Sequence, residues 1–233
     1  MILAIRSNYG DESIALIEML REQSIANTFE KIYVVYVNTG WEAHGWQERV
    51  SQGEVFVKRC GFETVQLYAK ASFSQLALER NSFPSKKFQW CAGFLKGLPF
   101  LDWLDETDPS CSSVIALPKR QALYRKPISE YLDCPYHGER KVWHPMLQAT
   151  TTLRDVWIKN AGFPLLNHRS LECDPCVNST SRDYTRMDPK DIHKMRELEN
   201  RLHKKMIIAQ VSPLNTPMDG FTMGCGDPFG CGL

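Results

Sequence analysis

A short polar segment lies near the start of the chain, between the apolar run 2–5 and an amphipathic run that begins at Ile14. Alternation of this kind predicts a strand, a loop and then a helix. Such a loop can direct backbone N–H groups and the positive end of the helix towards an anion, usually a phosphate. An ordinary strand-to-helix turn has the same pattern and remains the alternative. The segment comprises Ser7, Asn8, Tyr9, Gly10, Asp11, Glu12 and Ser13.

The cysteines are the second group of residues that could carry out chemistry. The chain contains eight, and Cys173 and Cys176 have the two-residue spacing of a metal clamp. Thiolates bind iron–sulfur clusters and zinc, whereas an isolated cysteine such as Cys91 is often a small buried apolar residue. Cys225 and Cys231 lie in a Gly-rich tail. Accessible thiols there could carry sulfur as a persulfide or form a redox pair, and an incidental pair of cysteines is the alternative.

Composition limits the classes of protein to be considered. The 233 residues are 43% hydrophobic, which is enough for one large domain with a core. The net charge of +1 means that any nucleic-acid contact must use local basic patches. No apolar stretch approaches the about 20 residues needed to span a membrane, and the start of the chain does not resemble a signal peptide. We therefore expect a cytoplasmic protein without a membrane partner.

The elements that position these residues alternate along the chain, which predicts a mostly parallel sheet with helices on both faces. Asn38, Thr39 and Gly40 follow the second apolar run, so we expect them at the carboxyl edge of the sheet, where ligands bind in open α/β folds. We predict strands over 2–5, 32–37, 64–68 and 113–117, and helices from 14, over 46–60 and 90–104, from 151 or 152 to 162, and over 188–206.

Four segments in this order resemble the phosphoadenosine-phosphosulfate reductase family, a branch of the adenine nucleotide α-hydrolase (ATP pyrophosphatase) fold. The resemblance covers about residues 1–180. Residues 7–12 are similar to its pyrophosphate loop and residues 38–42 to its Asp-Thr-Gly segment. Trp90-Cys91 with Lys96 is similar to its Trp-Cys-x-x-x-Leu-Lys segment, and 143–146 with 155–157 to its Pro-Leu and Asp-Val-Trp segments. The resemblance implies a Rossmann-like domain over 1–180, followed by a Cys-containing helical and loop extension over 181–233.

The resemblance also implies roles for these residues. Ser7 and the backbone around Gly10 would hold the β- and γ-phosphates of ATP, Asp11 would hold Mg²⁺, and residues 38–40 would lie near the adenosine. The basic residues implied to contact phosphates are Lys96, Arg120 and Arg125. Asn8 and Tyr9 stand where the family has two glycines, which tolerate positive φ angles more readily. A loop without catalytic function is therefore the alternative.

By resemblance, a substrate oxygen would attack the α-phosphorus of ATP and pyrophosphate would leave. Cluster-bearing relatives hold a [4Fe-4S] cluster with a Cys-Cys pair and a later Cys-x-x-Cys. In this chain Cys91 is followed by Ala92, so Cys91, Cys173 and Cys176 supply three of the four ligands. Zinc bound by the same thiolates is the alternative.

The Cys-x-x-Cys segment and the absence of a reductase tail resemble the ATP-pyrophosphatase subunits of bacterial DNA phosphorothioation systems. This branch implies DNA, a cysteine desulfurase and other phosphorothioation subunits as partners. A sulfonucleotide reductase and a non-catalytic partner subunit are the alternative functions. DNA would contact residues 119–126 or the basic residues of the C-terminal helix, which are Lys190, Lys194, Arg196, Arg201, Lys204 and Lys205.

Overall fold

Six strands form one sheet in the computed structural model, which describes residues 1–85, 87–123 and 126–206. The strand order is β3-β2-β1-β4-β6-β5, and every neighbouring pair is parallel except β5 with β6. The strands are β1 (Ile2–Arg6), β2 (Lys31–Asn38), β3 (Glu63–Tyr68), β4 (Val114–Ala116), β5 (Tyr131–Asp133) and β6 (Lys141–Trp143). The predicted mostly parallel sheet is therefore confirmed.

Helices cover both faces of the sheet. Successive residues of a strand point to opposite faces, so neighbouring residues of one strand pack against different helices. Leu3 and Ile5 pack towards α1, α2 and α6, whereas Ala4 packs towards α5. The helices are α1 (Asp11–Glu22), α2 (Trp46–Arg59), α3 (Phe73–Glu79), α4 (Trp90–Ala92), α5 (Leu98–Thr107), α6 (Thr151–Asn160), α7 (Ser181–Tyr184) and α8 (Pro189–Leu202), and a π-helical segment (Gly93–Gly97) joins α4 to α5. None of these described helices is long and apolar enough to cross a membrane.

The predicted C-terminal extension packs closely against the rest of the chain as far as it is described. Leu198 and Leu202 of α8 share an apolar cluster with Trp41, Phe73 and Trp90. The side chains of α8 also bond to the loop after β2, where Asp191 accepts the His44 N–H. Helix α8 therefore packs against the part of the chain that carries the sheet. Cys225 and Cys231 lie outside the described residues.

Candidate functional site

A cavity of about 190 Å³ lies at the carboxyl edge of the sheet. Its walls include the residues after β1 and Leu117 and Pro118 after β4. Strands β2 and β3 follow β1 on one side of it, whereas the later strand β4 pairs with its other side. The direction in which strands are added to the sheet therefore reverses between β1 and β4. Ligands of open α/β sheets bind at such reversal points. The position of the cavity therefore makes it the candidate functional site.

Six of the seven residues in the predicted phosphate loop line this cavity, and Tyr9 is the exception. Tyr9 has a φ angle of 56° and its side chain is fully buried beside Tyr36, with ring centroids 5.9 Å apart. The left-handed backbone that a loop glycine would adopt easily is thus held by packing of the tyrosine ring. The lining residues of the loop are Ser7, Asn8, Gly10, Asp11, Glu12 and Ser13.

Gly53 of α2 provides the space for the Tyr9 ring. A Cβ atom at Gly53 would lie 2.2 Å from Cδ1 of Tyr9, which is far inside van der Waals contact. Gly→Ala in a helix normally stabilises it by about 1 kcal/mol. We predict the opposite sign for Gly53→Ala, a loss of about 2 kcal/mol in the free energy of unfolding, because overpacking displaces the ring. Urea unfolding tests this, with Ser51→Ala on exposed α2 surface as the control. An increase in stability for Gly53→Ala would contradict it.

The backbone amides of the loop are hydrogen-bonded within the loop itself. The Tyr9 N–H donates to Ser7 Oγ at 3.0 Å, the Gly10 N–H to Asn8 Oδ1 at 2.9 Å, and the Asn8 N–H to Ser13 Oγ at 3.3 Å. Helix α1 nevertheless has no side-chain cap at Gly10. An anion at this site would therefore meet the first-turn N–H groups of α1 rather than the amides of residues 8–10.

The two acidic residues of the loop are bound to arginines. Asp11 pairs with Arg49 at 3.2 Å and accepts the Leu166 N–H at 3.1 Å, and burial raises its pKa. Glu12 accepts bonds from Arg120 at 2.9 and 2.8 Å and from Arg154 at 3.1 Å. Because both carboxylates are already engaged, this donor set does not fit a magnesium ion held by Asp11 and Glu12.

Arg120 was predicted to contact phosphates, and the structure places it elsewhere. Its side chain is 1% exposed and is not part of the cavity wall. Its guanidinium is bonded to Glu12, so its effect on the cavity is to position that carboxylate. Lys96 does line the cavity, where it pairs with Glu172 at 2.8 Å. Arg125 lies outside the described residues.

Arg169 lines the cavity and was not singled out from the sequence. Its Nε atom is buried and has no hydrogen-bond partner among the described residues. Burial alone would lower the pKa of Arg169, but Cys176, Glu172 and Cys173 nearby raise it, so the guanidinium stays charged. A single arginine in a loop carries no periodic signal, and its proximity to residue 173 was the only pointer to a site.

Four cationic side chains therefore face one cavity from four parts of the chain. Arg6 ends β1, Lys96 belongs to the π-helical segment, Arg154 to the first turns of α6, and Arg169 to the loop that follows α6. The Tyr36 hydroxyl also faces this region and is buried without a hydrogen-bond partner in the described part of the chain. Asp11, Glu12 and Glu172 also line the cavity, so the cationic side chains exceed the carboxylates by one, and the arrangement favours an anionic ligand with a polar group for Tyr36.

Residues 38–40, predicted to lie near adenosine, form a turn beside the cavity instead of lining it. Asn38 Oδ1 accepts the Gly40 N–H at 2.8 Å, and Thr39 Oγ1 donates to the Glu172 carbonyl at 3.3 Å. Tyr36 and Val37, which precede this turn in β2, are the residues of that strand that line the cavity. The turn therefore supports the loop that carries Glu172.

The three cysteines predicted to bind a metal do not form a ligand set. Within residues 1–85, 87–123 and 126–206, no group of three or more His, Cys, Asp or Glu side chains could hold a metal ion. Cys91 and Cys173 pack at the edge of the apolar cluster around Trp90, and the Cys176 sulfur accepts the Asn178 N–H at 3.5 Å. These residues do not fit an iron–sulfur cluster as they are arranged here.

Most of the predicted DNA-contacting lysines of α8 are bonded within the protein. Lys190 contacts the His44 ring, Lys194 pairs with Asp191 at 2.9 Å, and Lys205 pairs with Glu199 at 3.0 Å. The carboxylates therefore partly neutralise Lys194 and Lys205, of which Lys205 lies beyond the end of α8, whereas the histidine ring leaves the charge of Lys190 in place. Arg196 and Arg201 are exposed on the same helix.

His137 is a buried histidine below the cationic region, and its Nδ1 lies 3.1 Å from Cys134 Sγ. Burial and the charges of Arg6 and Lys119 lower its pKa to about 3. The unfolded chain binds a proton at this position below about pH 6.5 and the folded chain does not, so acid destabilises the fold.

We predict that wild-type protein loses about 2 kcal/mol more unfolding free energy than His137→Gln when the pH falls from 7 to 5. Urea unfolding at both pH values measures this difference. His193→Gln is the control, because its side chain is 76% exposed. Equal pH dependence in wild type and His137→Gln would show that His137 titrates normally.

Comparison with known proteins found structural similarity only. No protein-family model and no curated protein matches the sequence. A phosphoadenylyl-sulfate (PAPS) reductase from Candida auris, solved as a phosphate complex, is 9% identical with a TM-score of 0.49, over 70% of this chain and 74% of that chain. The U34-tRNA thiolase NcsA from Methanococcus maripaludis, solved with its [4Fe-4S] cluster, is 12% identical with a TM-score of 0.49, over 87% of this chain and 67% of that chain. Neither similarity assigns a family or an activity to this chain.

Proposed function

We propose that this chain is an ATP pyrophosphatase that binds the nucleotide phosphates in the cavity between β1 and β4. The observation that carries the proposal is the convergence of Arg6, Lys96, Arg154 and Arg169 on a cavity at the reversal point of the sheet. These four cations outnumber the lining carboxylates Asp11, Glu12 and Glu172 by one, which favours an anionic ligand such as a nucleotide phosphate. The uncapped first turn of α1 adds N–H donors at the same position.

In the proposed reaction an oxygen of a DNA backbone phosphate attacks the α-phosphorus of ATP and pyrophosphate leaves. Charge then accumulates on the leaving pyrophosphate, and preorganised cations stabilise that charge without reorganisation. Arg169 and Arg154 would neutralise it, while the Lys96–Glu172 pair would keep the lysine Nζ in place. Burial opposes ionisation of Glu172, but Lys96 and Arg169 hold the pKa of its carboxyl at about 2, so the pair is charged at neutral pH.

The persulfide sulfur delivered by a cysteine desulfurase would then attack the adenylated phosphorus of the DNA, and AMP would leave with the DNA oxygen. An external thiol would reduce the resulting S–S bond, which releases the sulfur carrier and leaves sulfur on the DNA phosphorus. Support for the DNA acceptor and for the desulfurase is the resemblance of the Cys-x-x-Cys segment, together with the lack of a reductase-like tail sequence, to the ATP-pyrophosphatase subunits of DNA phosphorothioation systems. Magnesium would have to be held chiefly by the nucleotide itself, because Asp11 and Glu12 are bound to arginines. No step in this scheme passes through an iron–sulfur cluster.

The test is pyrophosphate and AMP release from ATP by the purified chain, measured with and without DNA and a cysteine desulfurase. We expect both products in equal amounts and sulfur in the DNA when all components are present. Failure of the chain to bind ATP would overturn the proposal. Release of sulfite from a sulfonucleotide would identify the reductase alternative.

A non-catalytic partner subunit is the second candidate, and one observation favours it. The amides of residues 8–10 are satisfied inside the loop, so the loop need not receive a phosphate to be stable. Such a subunit would bind the desulfurase tightly without nucleotide turnover. Binding and turnover assays on the same preparation separate the two functions.

A further inference from the structure

A continuous series of stacked side chains runs from the interior to the protein surface at Phe94. The rings of Trp41 and Phe73 are 4.6 Å apart and those of Phe73 and Trp90 are 5.6 Å apart, both with interplanar angles of 23°. The Arg80 guanidinium then lies 5.4 Å from the Trp90 ring and 4.5 Å from the Phe94 ring. The inner three rings are at most 2% exposed, whereas Phe94 is 45% exposed. The series therefore ends at the Phe94 ring, which contacts the Arg80 guanidinium and is partly exposed to solvent.

A second exposed ring lies six residues earlier in the chain. Phe88 is 52% exposed, and its backbone exchanges two hydrogen bonds with that of Ser85, at 3.1 and 3.2 Å. Leu98, four residues beyond Phe94, is 47% exposed. Phe88, Phe94 and Leu98 are thus three large apolar side chains that are exposed within eleven residues of the chain.

The surface around these rings is positively charged. Residues 71–101 contain four basic residues and one acidic residue, Glu79, and one of the four, Lys96, pairs with Glu172 in the cavity wall instead of lying on this surface. Arg80 and Lys87 are exposed within this stretch, and Lys204 reaches it from the end of α8 by bonding to the Asn81 carbonyl. A partner for this surface must therefore be negatively charged and must also offer flat apolar groups.

Single-stranded DNA has both properties. Its phosphates are anionic, and its unpaired bases stack on exposed aromatic rings without regard to sequence. The bases of a duplex are already stacked on each other and cannot be reached in this way. Phe94 also shares the five-residue π-helical segment with Lys96, which lines the cavity. Side chains two positions apart on a helix point to different sides, so a strand bound at Phe94 would have to continue past this segment to reach the cavity.

We propose that the surface formed by Arg80, Lys87, Phe88, Phe94 and Lys204, here called the Phe94 surface, binds single-stranded DNA with one base stacked on Phe94. This inference rests on the proposed function, because it names the form of DNA that reaches the cavity. On this inference, the main nucleic-acid contact is made by the Phe94 surface, most of which precedes the cavity residue Lys96 in the chain. Helix α8 and residues 119–126 are then not the main contact.

The test is fluorescence anisotropy of a labelled mixed-sequence DNA strand of about 12 nucleotides, a length within the range bound by stacking sites. We expect Phe94→Ala to weaken binding about ten-fold and Phe94→Trp to retain it. Lys87→Ala should reduce the slope of log K against log salt by about 0.7, whereas Phe94→Ala should leave that slope unchanged. Tyr136→Ala is the control, because Tyr136 is 64% exposed and follows β5 at the far edge of the sheet.

Unchanged binding by Phe94→Ala, or an equal loss for Tyr136→Ala, would overturn the inference. Tighter binding of the duplex or of RNA of the same sequence would overturn it as well. The measurement is made without ATP, so it does not depend on turnover. Absence of ATP binding by wild-type protein would remove the proposed function alone, whereas normal ATP turnover with unaltered DNA binding in Phe94→Ala would remove the Phe94 surface alone.

Discussion

Replacing Arg169 with alanine is expected to weaken ATP binding by about 3 kcal/mol, on the order of a hundred-fold in Kd. The guanidinium lies in the cavity wall, and its buried Nε has no hydrogen-bond partner in the part of the chain that the structure describes. It can therefore donate charge-assisted hydrogen bonds to a phosphate without first breaking one at Nε. Removal of the Arg169 side chain removes those hydrogen bonds, and the negative charge of the bound phosphate then lacks this positive partner.

Isothermal titration with ATP measures this effect. Arg196→Ala removes the same charge from the exposed face of α8 and should leave the Kd unchanged. Arg169→Lys should recover part of the affinity, since it restores the charge without the planar donor geometry. If Arg169→Ala bound ATP as wild type does, the cavity would not be the phosphate site.

Breaking the Arg120–Glu12 pair is expected to destabilise the fold strongly. Arg120 is 1% exposed and donates two hydrogen bonds to Glu12. Removal of one partner leaves a buried charge poorly compensated, at a cost of about 3–5 kcal/mol. We expect Arg120→Met to fall near about 3 kcal/mol, because Arg154 still pairs with Glu12 at 3.1 Å.

Urea unfolding of Arg120→Met, Glu12→Leu and the double variant forms a complete cycle. The double variant should recover most of the lost stability, because apolar replacements of a buried pair are often neutral. Lys31→Met is the matched control, since the side chains of the Lys31–Glu63 pair are 51% and 58% exposed and such pairs contribute at most about 1 kcal/mol. A loss below about 1 kcal/mol for Arg120→Met would contradict the prediction, because the buried pair would then contribute no more than an exposed one.

Local sequence pattern was sufficient for the central strands and for the position of the loop. Residues 2–5 and 32–37 are continuous apolar runs because the strands that contain them are covered on both faces, and the polar turns after them lie at the carboxyl edge in any parallel arrangement. The short strands β5 and β6 were not predicted. Three residues carry too little periodicity, and β5 is antiparallel at the sheet edge.

What the sequence determined by itself was an α/β sheet with polar residues 7–13 at its ligand-binding edge. Only the tertiary structure decided which charged side chains line the cavity at that edge. Arg120 turns to Glu12, Arg169 enters the cavity from a loop more than 150 residues from Ser7, and Tyr9 takes its left-handed conformation because Gly53 leaves room for its ring. Such contacts depend on distances in space between residues that are far apart in the sequence. Local sequence patterns report only on neighbouring residues, so they could not predict these contacts.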